Sequence, residues 1–524
     1  MDAAKPLPMI RASSPESAEI VVERDVRSVG EFEALAAELA LFASPGMAVL
    51  LRGELGAGKS TFARAFIGAL LPRYSDIDVP SPTYTLLQTY RETRIPIAHA
   101  DLFRIGSARE AEELGLDELL ADHAVLVEWP DRLGHVPWPD RLDVEISGHG
   151  TRRLLRLKAK GQWARALGRN ARIVEFIAGT AWNGAKREFF EGDASFRRYE
   201  SLSTASSSAI LMDMPARPDG PPVKDGKSYS AIAHLAEDIG AVVAINGKLG
   251  ELGYSAPKME ACEVSAGLAI IEDLGRDVFT RKYRDRHDMR EPMKTAVDVL
   301  TDMAKRQWPE AVSMGEGQTY VVPPYDIEAQ LIEVDLLPCW FWPYLDGIEV
   351  PDEPRKEFAA HWSSVLALAK PHSPMWTLRD YHSPNLLWLP GRSGIKRVGI
   401  IDTQDCVLGH PAYDLASLLQ DARVDIDFGW ANELLDYYCG IRARENDFDR
   451  VEFETAYAVL GAQRATKILG IFARLSKRDG KHVYLNHLPR VSRYLERNLT
   501  HPRLAGLKRW FDRHLPASIR ETRK

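Results

Sequence analysis

Cysteine is scarce in this chain: four in 524 residues, Cys262, Cys339, Cys406 and Cys439, none in a C-x-x-C pair. That scarcity excludes a disulfide-dense secreted scaffold and a cysteine-built metal cage, and it fits reduced thiols in the cytoplasm. No apolar run approaches the roughly 18 residues of a membrane span, so no membrane partner is expected. The opening MDAAKPLPMIRASSPESAE has no continuous apolar stretch and reads as a ragged tail, residues 1–19, rather than a signal peptide. Positive charge is not in excess either. A formal net charge of -7 argues against binding nucleic acid through bulk charge. Low-complexity blocks and internal repeats are absent. What remains is a globular composition, 45% hydrophobic and 27% charged, in a chain too long for one core.

Two phosphate-handling devices stand in it. The first follows a short apolar run, Met47 to Leu51. Gly53-Glu54-Leu55-Gly56-Ala57-Gly58-Lys59-Ser60-Thr61 contains G-x-x-x-x-G-K-[ST], and a helical pattern from Ser60 to Leu71 follows it. Glycines let backbone N–H groups curl around phosphate oxygens, and the next helix aims its positive end at them. Lys59 is expected on the β- and γ-phosphates and the Ser60 hydroxyl on Mg²⁺. No N-K-x-D signature occurs, which favours ATP over GTP. Two further strand candidates, IPIAHADLF and AVLVEW, bring Asp101 and Glu128 to strand ends, where carboxylates face a ligand crevice. One is expected to hold Mg²⁺ and the other to position the attacking water; the bland reading of either is a helix cap or a surface ion pair. Upstream, Ser28-Val-Gly-Glu31 has the form of a capping box, opening a helix with Phe32, Leu35, Leu39 and Phe42 at helical spacing. This order is that of an α/β nucleotide-binding sheet.

Between Thr151 and Arg172 lie eight Lys or Arg and no Asp or Glu. A basic face for RNA or protein is one reading; a solvated edge strand plus linker is the preferred one. The domain boundary is expected here, near Leu167.

The second device is Arg379-Asp380-Tyr-His-Ser-Pro-Asn385, spaced as in a kinase catalytic loop, with Asp402 at the end of the strand candidate RVGIID. Asp380 would orient an acceptor hydroxyl and take its proton; Asn385 and Asp402 would hold Mg²⁺ against the nucleotide phosphates. EGDASFRRYESL and SSAILMDMP read as paired strands, Ser230 to Gly240 as a helix, and GLAIIEDLG as another strand. From Asp277 onward the pattern is mostly helical. Leu378 stands where protein kinases have His. AILMDMP offers no clamp lysine, so Arg197, Arg198 or Lys224 are candidates for phosphate contact. Trp340-Phe341-Trp342 could stack on a sugar, though a core role is favoured. His382 either bonds substrate or braces the loop.

GELGAGKSTFAR, VPSPTYTLL, HADLFR and LVEWPDRLG resemble TsaE, the ATPase of bacterial tRNA threonylcarbamoyladenosine synthesis, in family order over about residues 20–165. The resemblance implies ATP and Mg²⁺ as cofactors and partners like the TsaD and TsaB subunits of the threonylcarbamoyl transferase complex, with tRNA met indirectly. It implies metal service by Ser60 and Glu128, assistance of hydrolysis by Asp101, and nucleotide sensing by Ser81 to Thr85. GDASFRRY, AILMDMP, IIEDLG, EVDLLPCWF, LRDYHSPNL and IIDTQDCVLGHPAYDLASLL resemble the AmgK-like anomeric sugar kinases of the aminoglycoside-phosphotransferase fold, over about residues 170–515. That resemblance implies phosphorylation of N-acetylmuramate or N-acetylglucosamine in cell-wall recycling, with Asp380 as base and Asn385 and Asp402 on the metal. Asp414 is expected to anchor structure. The expectation is thus a cytoplasmic fusion. An α/β P-loop NTPase domain (20–167) is followed by an α+β bilobal kinase-like domain (168–524), with a small lobe at about 170–275 and a large lobe at about 276–515. The rival readings make the second half a kinase for choline or an aminoglycoside, or a docking module without catalysis.

Overall fold

Alternation decides the first sheet. In Ala48–Arg52 (β2), Ala48 and Leu50 point to one side and Val49 and Leu51 to the other, and both sides are buried. Such a strand must be covered on both faces, as central parallel strands are. In the computed structural model, which describes residues 19–72, 77–190, 197–216, 219–315, 317–347, 349–445 and 447–521, β2 lies near the middle of a seven-stranded sheet. With β1 (Ile20–Val26), β3 (Leu87–Tyr90), β4 (Ile97–Asp101), β5 (Ala124–Glu128), β6 (Arg141–Ser147) and β7 (Arg153–Ala159), the order is β1-β7-β6-β2-β5-β4-β3. β6, β2, β5 and β4 are parallel; β1, β7 and β3 are antiparallel to their neighbours. Val49 and Leu51 pack with the helices Val29–Ala40 and Lys59–Gly68 (Phe32, Phe62, Phe66), while Ala48 and Leu50 pack with Ala98, Val125 and Leu116.

The capping box is present with a shift. Ser28 Oγ accepts from Glu31 N at 3.1 Å, but the Glu31 carboxylate accepts from Arg27 N at 2.8 Å, one residue before the cap. The basic segment corrects an expectation. β7 is no edge strand: β1 covers one side and β6 the other. The cations in it and at its two ends meet acids of the neighbouring segments, Arg152 with Asp25 (2.7 Å), Lys158 with Glu145 (2.5 Å) and Lys160 with Glu19 (3.1 Å). Cross-strand pairing of opposite charges is how an antiparallel sheet tolerates them. The expected boundary residue, Leu167, is buried within the helix Gln162–Ala178.

The chain divides into two compact units, Met1–Met212 and Asp213–Lys524. In the first, Lys186–Phe190 pairs antiparallel with Arg198–Ser203. The strand Ser208–Asp213 follows after a turn closed by Thr204 N donating to Ser207 O. GDASFRRY lies largely outside the described residues. In the second unit, Met259–Glu263 pairs with Leu268–Glu272. The expected helix Ser230 to Gly240 is broken: Tyr229–Ala233 ends where His234 turns left-handed (φ 52°), and a longer helix, Gly240–Glu251, begins at the last residue of the expected one. The remainder is mostly helical as expected, built around the 30-residue helix Arg450–Asp479. Asp449 caps its start and left-handed Gly480 ends it. Phe341 and Trp342 are buried in this core and Trp340 packs against it, so the first two are not sugar platforms. The fold class is the expected one, an α/β P-loop domain followed by a kinase-like α+β domain.

Candidate active sites

The glycine-rich loop leaves β2 and enters the helix Lys59–Gly68. Gly53 has φ 149°, and a Cβ there would sit 2.5 Å from the Ile146 carbonyl oxygen; Gly58, the helix N-cap, has φ 109°. Only glycine takes both positions without displacement. No side chain caps this helix, so its first N–H groups remain for an anion. Lys59 is 5% exposed; its Nζ donates to the carbonyls of Gly53 (2.7 Å) and Glu54 (2.9 Å) and lies 3.6 Å from the centre of the Trp129 ring. Burial lowers its pKa, and the charges of Glu128 and Asp101 oppose the fall. Leu55, by contrast, is 78% exposed at the rim of the loop.

Asp101 and Glu128 are register partners at the carboxyl ends of β4 and β5. Both are buried, and neither is a surface ion pair. Ser60 Oγ donates to Glu128 Oε2 at 2.9 Å, and His99 Nε2 lies 3.0 Å from Glu128 Oε1. Thr83 Oγ1 donates to Asp101 Oδ2 (2.7 Å) and Phe103 N to Asp101 Oδ1 (3.0 Å), while Ser81 and Thr83 share a hydrogen bond of 2.9 Å. The SPTYT loop is therefore wired to Asp101. A hydroxyl and a carboxylate oxygen side by side, next to a phosphate cradle, form a hard donor set that suits Mg²⁺.

Two members of this site were given no role by the sequence. His99, the first residue of HADLFR, holds Glu128 from the far side; its place two positions before Asp101 on β4, hence on the same strand face, was the available signal. Arg153, in the basic segment, donates to Ala57 O at 2.7 Å and so braces the phosphate loop from β7.

The second device rests on two small ladders. Met375–Thr377 pairs with Val407–Gly409, and Leu386–Trp388 with Val398–Ile400. Both the loop Leu378–Asn385 and the loop starting at Ile401 run from one ladder to the other. Ile401 N donates to Asn385 O at 3.0 Å, so Asn385 and Asp402 sit at neighbouring strand ends. The Asn385 amide nitrogen donates to Asp380 O (3.1 Å), which leaves its side-chain oxygen as the atom able to meet a cation. Asp402 adopts φ 61°. Oxygen donors from an amide and a carboxylate again fit Mg²⁺.

Two carboxylates staple the catalytic loop. Asp414, from the helix Ala412–Leu419, accepts Leu378 N (2.7 Å) and Arg379 N (2.9 Å). Burial raises its pKa to about 7 against those two bonds. Asp421 accepts Ser383 N (2.7 Å) and Ser383 Oγ (2.5 Å). Arg379, buried and left-handed (φ 65°), reaches the Ala233 carbonyl at 2.8 Å and the Glu333 carboxylate. Glu333 also accepts from Lys467 (2.8 Å), Gln463 (2.9 Å) and Tyr325 (2.5 Å).

The Asp380 side chain keeps 38% of its surface open. Burial pushes its pKa up, but the charge of His382 once that ring is protonated in acid, together with those of Lys467, Arg379 and Arg464, leaves it below the ordinary aspartate value. It is an ionised, partly exposed carboxylate, a state in which it can accept a proton. Burial and the Arg423 charge lower His382 to about 4, which leaves a neutral ring. The candidate phosphate cations part ways. Arg198 is bound to Glu200 and stacked 3.5 Å over the Phe42 ring, while Lys224 is exposed on a two-residue-loop hairpin. AILMDMP supplies no lysine.

Comparison with known proteins matches residues 26–155 to the threonylcarbamoyl adenosine biosynthesis protein TsaE and residues 186–453 to the phosphotransferase enzyme family. The N-acetylmuramate/N-acetylglucosamine kinase of Caulobacter vibrioides is 37% identical over 361 residues, 67% of this chain and 98% of that protein. The kinase of the same name from Pseudomonas aeruginosa is 28% identical over 324 residues, 60% of this chain and 84% of its own length. The tRNA threonylcarbamoyladenosine biosynthesis protein TsaE of Rickettsia felis is 39% identical over 116 residues, 22% of this chain and 67% of that protein.

Proposed function

Because the chain belongs to the TsaE family in its first part and to the phosphotransferase enzyme family in its second, we propose that it joins two ATP-consuming activities. One is the ATP hydrolysis that supports threonylcarbamoylation of the adenosine beside the anticodon in tRNAs reading codons that begin with A. The other is ATP-dependent phosphorylation of the anomeric hydroxyl of N-acetylmuramate or N-acetylglucosamine in cell-wall recycling. The kinase relatives carry the names of these two sugars, which favours them over choline or an aminoglycoside. The proposed functional division lies near Leu167. Among the described residues, no helix is long and apolar enough to cross a membrane; the proposed setting is the cytoplasm, with TsaD- and TsaB-like subunits as partners of the first half.

In the first site, the amides of Gly53 to Thr61 receive the phosphates and Lys59 turns from the Gly53 and Glu54 carbonyls to their oxygens. Ser60 and Glu128 would hold Mg²⁺, which, when bound, neutralises charge on the phosphates. Asp101, tied to Thr83, orients the attacking water and reports nucleotide to the SPTYT loop. In the second site, Asp380 takes the proton of the sugar hydroxyl while Asn385 and Asp402 would hold the metal.

The observation that carries this reading is that each site draws oxygen donors from separate segments to one place: the Ser60 hydroxyl to the Glu128 carboxylate, and Asn385 to the turn bearing Asp402. Variants test it. Lys59→Ala or Glu128→Ala should abolish ATP hydrolysis and tRNA modification in cells without another copy, and Asp380→Asn should abolish sugar phosphorylation alone. Normal tRNA modification in either of the first two, or full sugar turnover in the third, would contradict the assignment.

A further inference from the structure

His382 is a buried imidazole with one satisfied nitrogen and one unsatisfied. Its residue exposure is 5%. Arg423 Nη1 lies 2.9 Å from Nε2. A guanidinium has only donors, so Nε2 must be the acceptor and the ring proton must sit on Nδ1. Among the described residues, no group accepts from Nδ1. Its nearest acid is Asp380 Oδ1, 3.8 Å away, beyond hydrogen-bond length. The arrangement is held from behind: Arg423 N donates to Asp421 Oδ1 at 2.7 Å, and the same carboxylate takes Ser383 N and Oγ. A buried donor without an acceptor costs free energy unless something fills the gap.

An oxygen about 2.8 Å from each atom spans a 3.8 Å separation comfortably. We infer that His382 Nδ1–H donates to the acceptor sugar's reacting hydroxyl oxygen, and that Arg423 is the positioning residue that fixes this tautomer. The inference rests on Asp380 being the base. The hydroxyl gives its proton to the Asp380 carboxylate and keeps one lone pair on the His382 N–H. The other lone pair forms the new O–P bond to the γ-phosphorus. The bridging O–P bond of ATP breaks and its electron pair leaves on ADP; the His382 proton is not transferred. As negative charge builds on the sugar oxygen the N–H bond strengthens, so it stabilises the transition state more than the bound substrate. A neutral donor also leaves Asp380 without an adjacent imidazolium that would weaken it as a base.

The test uses the full chain with ATP and N-acetylmuramate. Asn places its amide N–H close to the position of Nδ1, and Leu removes the donor. His382→Leu should lower kcat by about 10²-fold with a smaller change in KM, as loss of one preorganised donor does. His382→Asn should recover at least about tenfold of that loss. Imidazole ¹⁵N spectra should show His382 as the Nδ1–H tautomer, and Arg423→Leu should both shift that signal and lower kcat. Far-UV circular dichroism and urea unfolding of the intact chain report that each variant is folded. Wild-type kcat in His382→Leu, an Nε2–H signal in the unmodified protein, or equal losses in the Leu and Asn variants would overturn the inference. Should those results come with a dead Asp380→Asn, the base assignment survives; an active Asp380→Asn would instead remove the premise.

Discussion

At the scale of single residues, Glu333 shows how a buried carboxylate stabilises the fold through its counter-charges. It lies fully buried, and burial alone would raise its pKa, yet Lys467, Arg379 and the Tyr325 hydroxyl bring it down to about 2. A folded-state pKa below the ordinary 4.5 means that the carboxylate stabilises the fold above the usual glutamate range. That contribution is lost as pH falls through about 2. Glu333→Gln should therefore cost about 3–5 kcal/mol at neutral pH, because Arg379 and Lys467 are left buried without their counter-charge. The gap between variant and wild type in urea unfolding should narrow as the buffer is taken from pH 5 toward about 2; a gap that stays constant would contradict the ion pairing. The residues to which chemistry is assigned in the proposal, Lys59, Ser60, Asp101, Glu128, Asp380, Asn385 and Asp402, were legible because each sits inside a short motif. Their supports were not. Arg153 reaches the phosphate loop from 96 positions away and Arg423 reaches His382 from 41, and a long-range partner leaves no local pattern.

At the scale of elements, the short apolar runs flanking the motifs announced β2, β4 and β5, since both faces of each are covered and the sequence is correspondingly apolar. β1 and β7 were harder. Ile20–Val26 and Arg153–Ala159 are rich in charge because their charges pair across the ladder rather than facing water alone. A run of eight basic residues therefore reads as an edge when it is an interior strand followed by a helix. The helix Arg450–Asp479 supplies a prediction. A Cβ on Gly470 would lie 2.4 Å from the Leu336 carbonyl carbon and 2.5 Å from its oxygen, at the entry to the turn Leu337–Phe341. Alanine gains about 1 kcal/mol of helix propensity over glycine, but overpacking against backbone costs about 1–3 kcal/mol or more. Gly470→Ala should lower the unfolding midpoint; an unchanged or raised midpoint would mean that the two segments do not approach so closely.

For the whole molecule, the two family halves explain why one chain carries two unrelated ways of gripping a nucleotide. A P-loop holds phosphate through backbone amides around Lys59, whereas the kinase half relies on acids held by paired strands around Asp402, and neither design needs the other's residues. The consequence is countable. Equilibrium titration of the intact chain with a labelled, non-hydrolysable ATP analogue and Mg²⁺ should give two nucleotides bound per polypeptide. Lys59→Ala should retain one of them, Asp402→Ala the other, and the double variant none. One nucleotide per chain, eliminated by either substitution alone, would contradict the account.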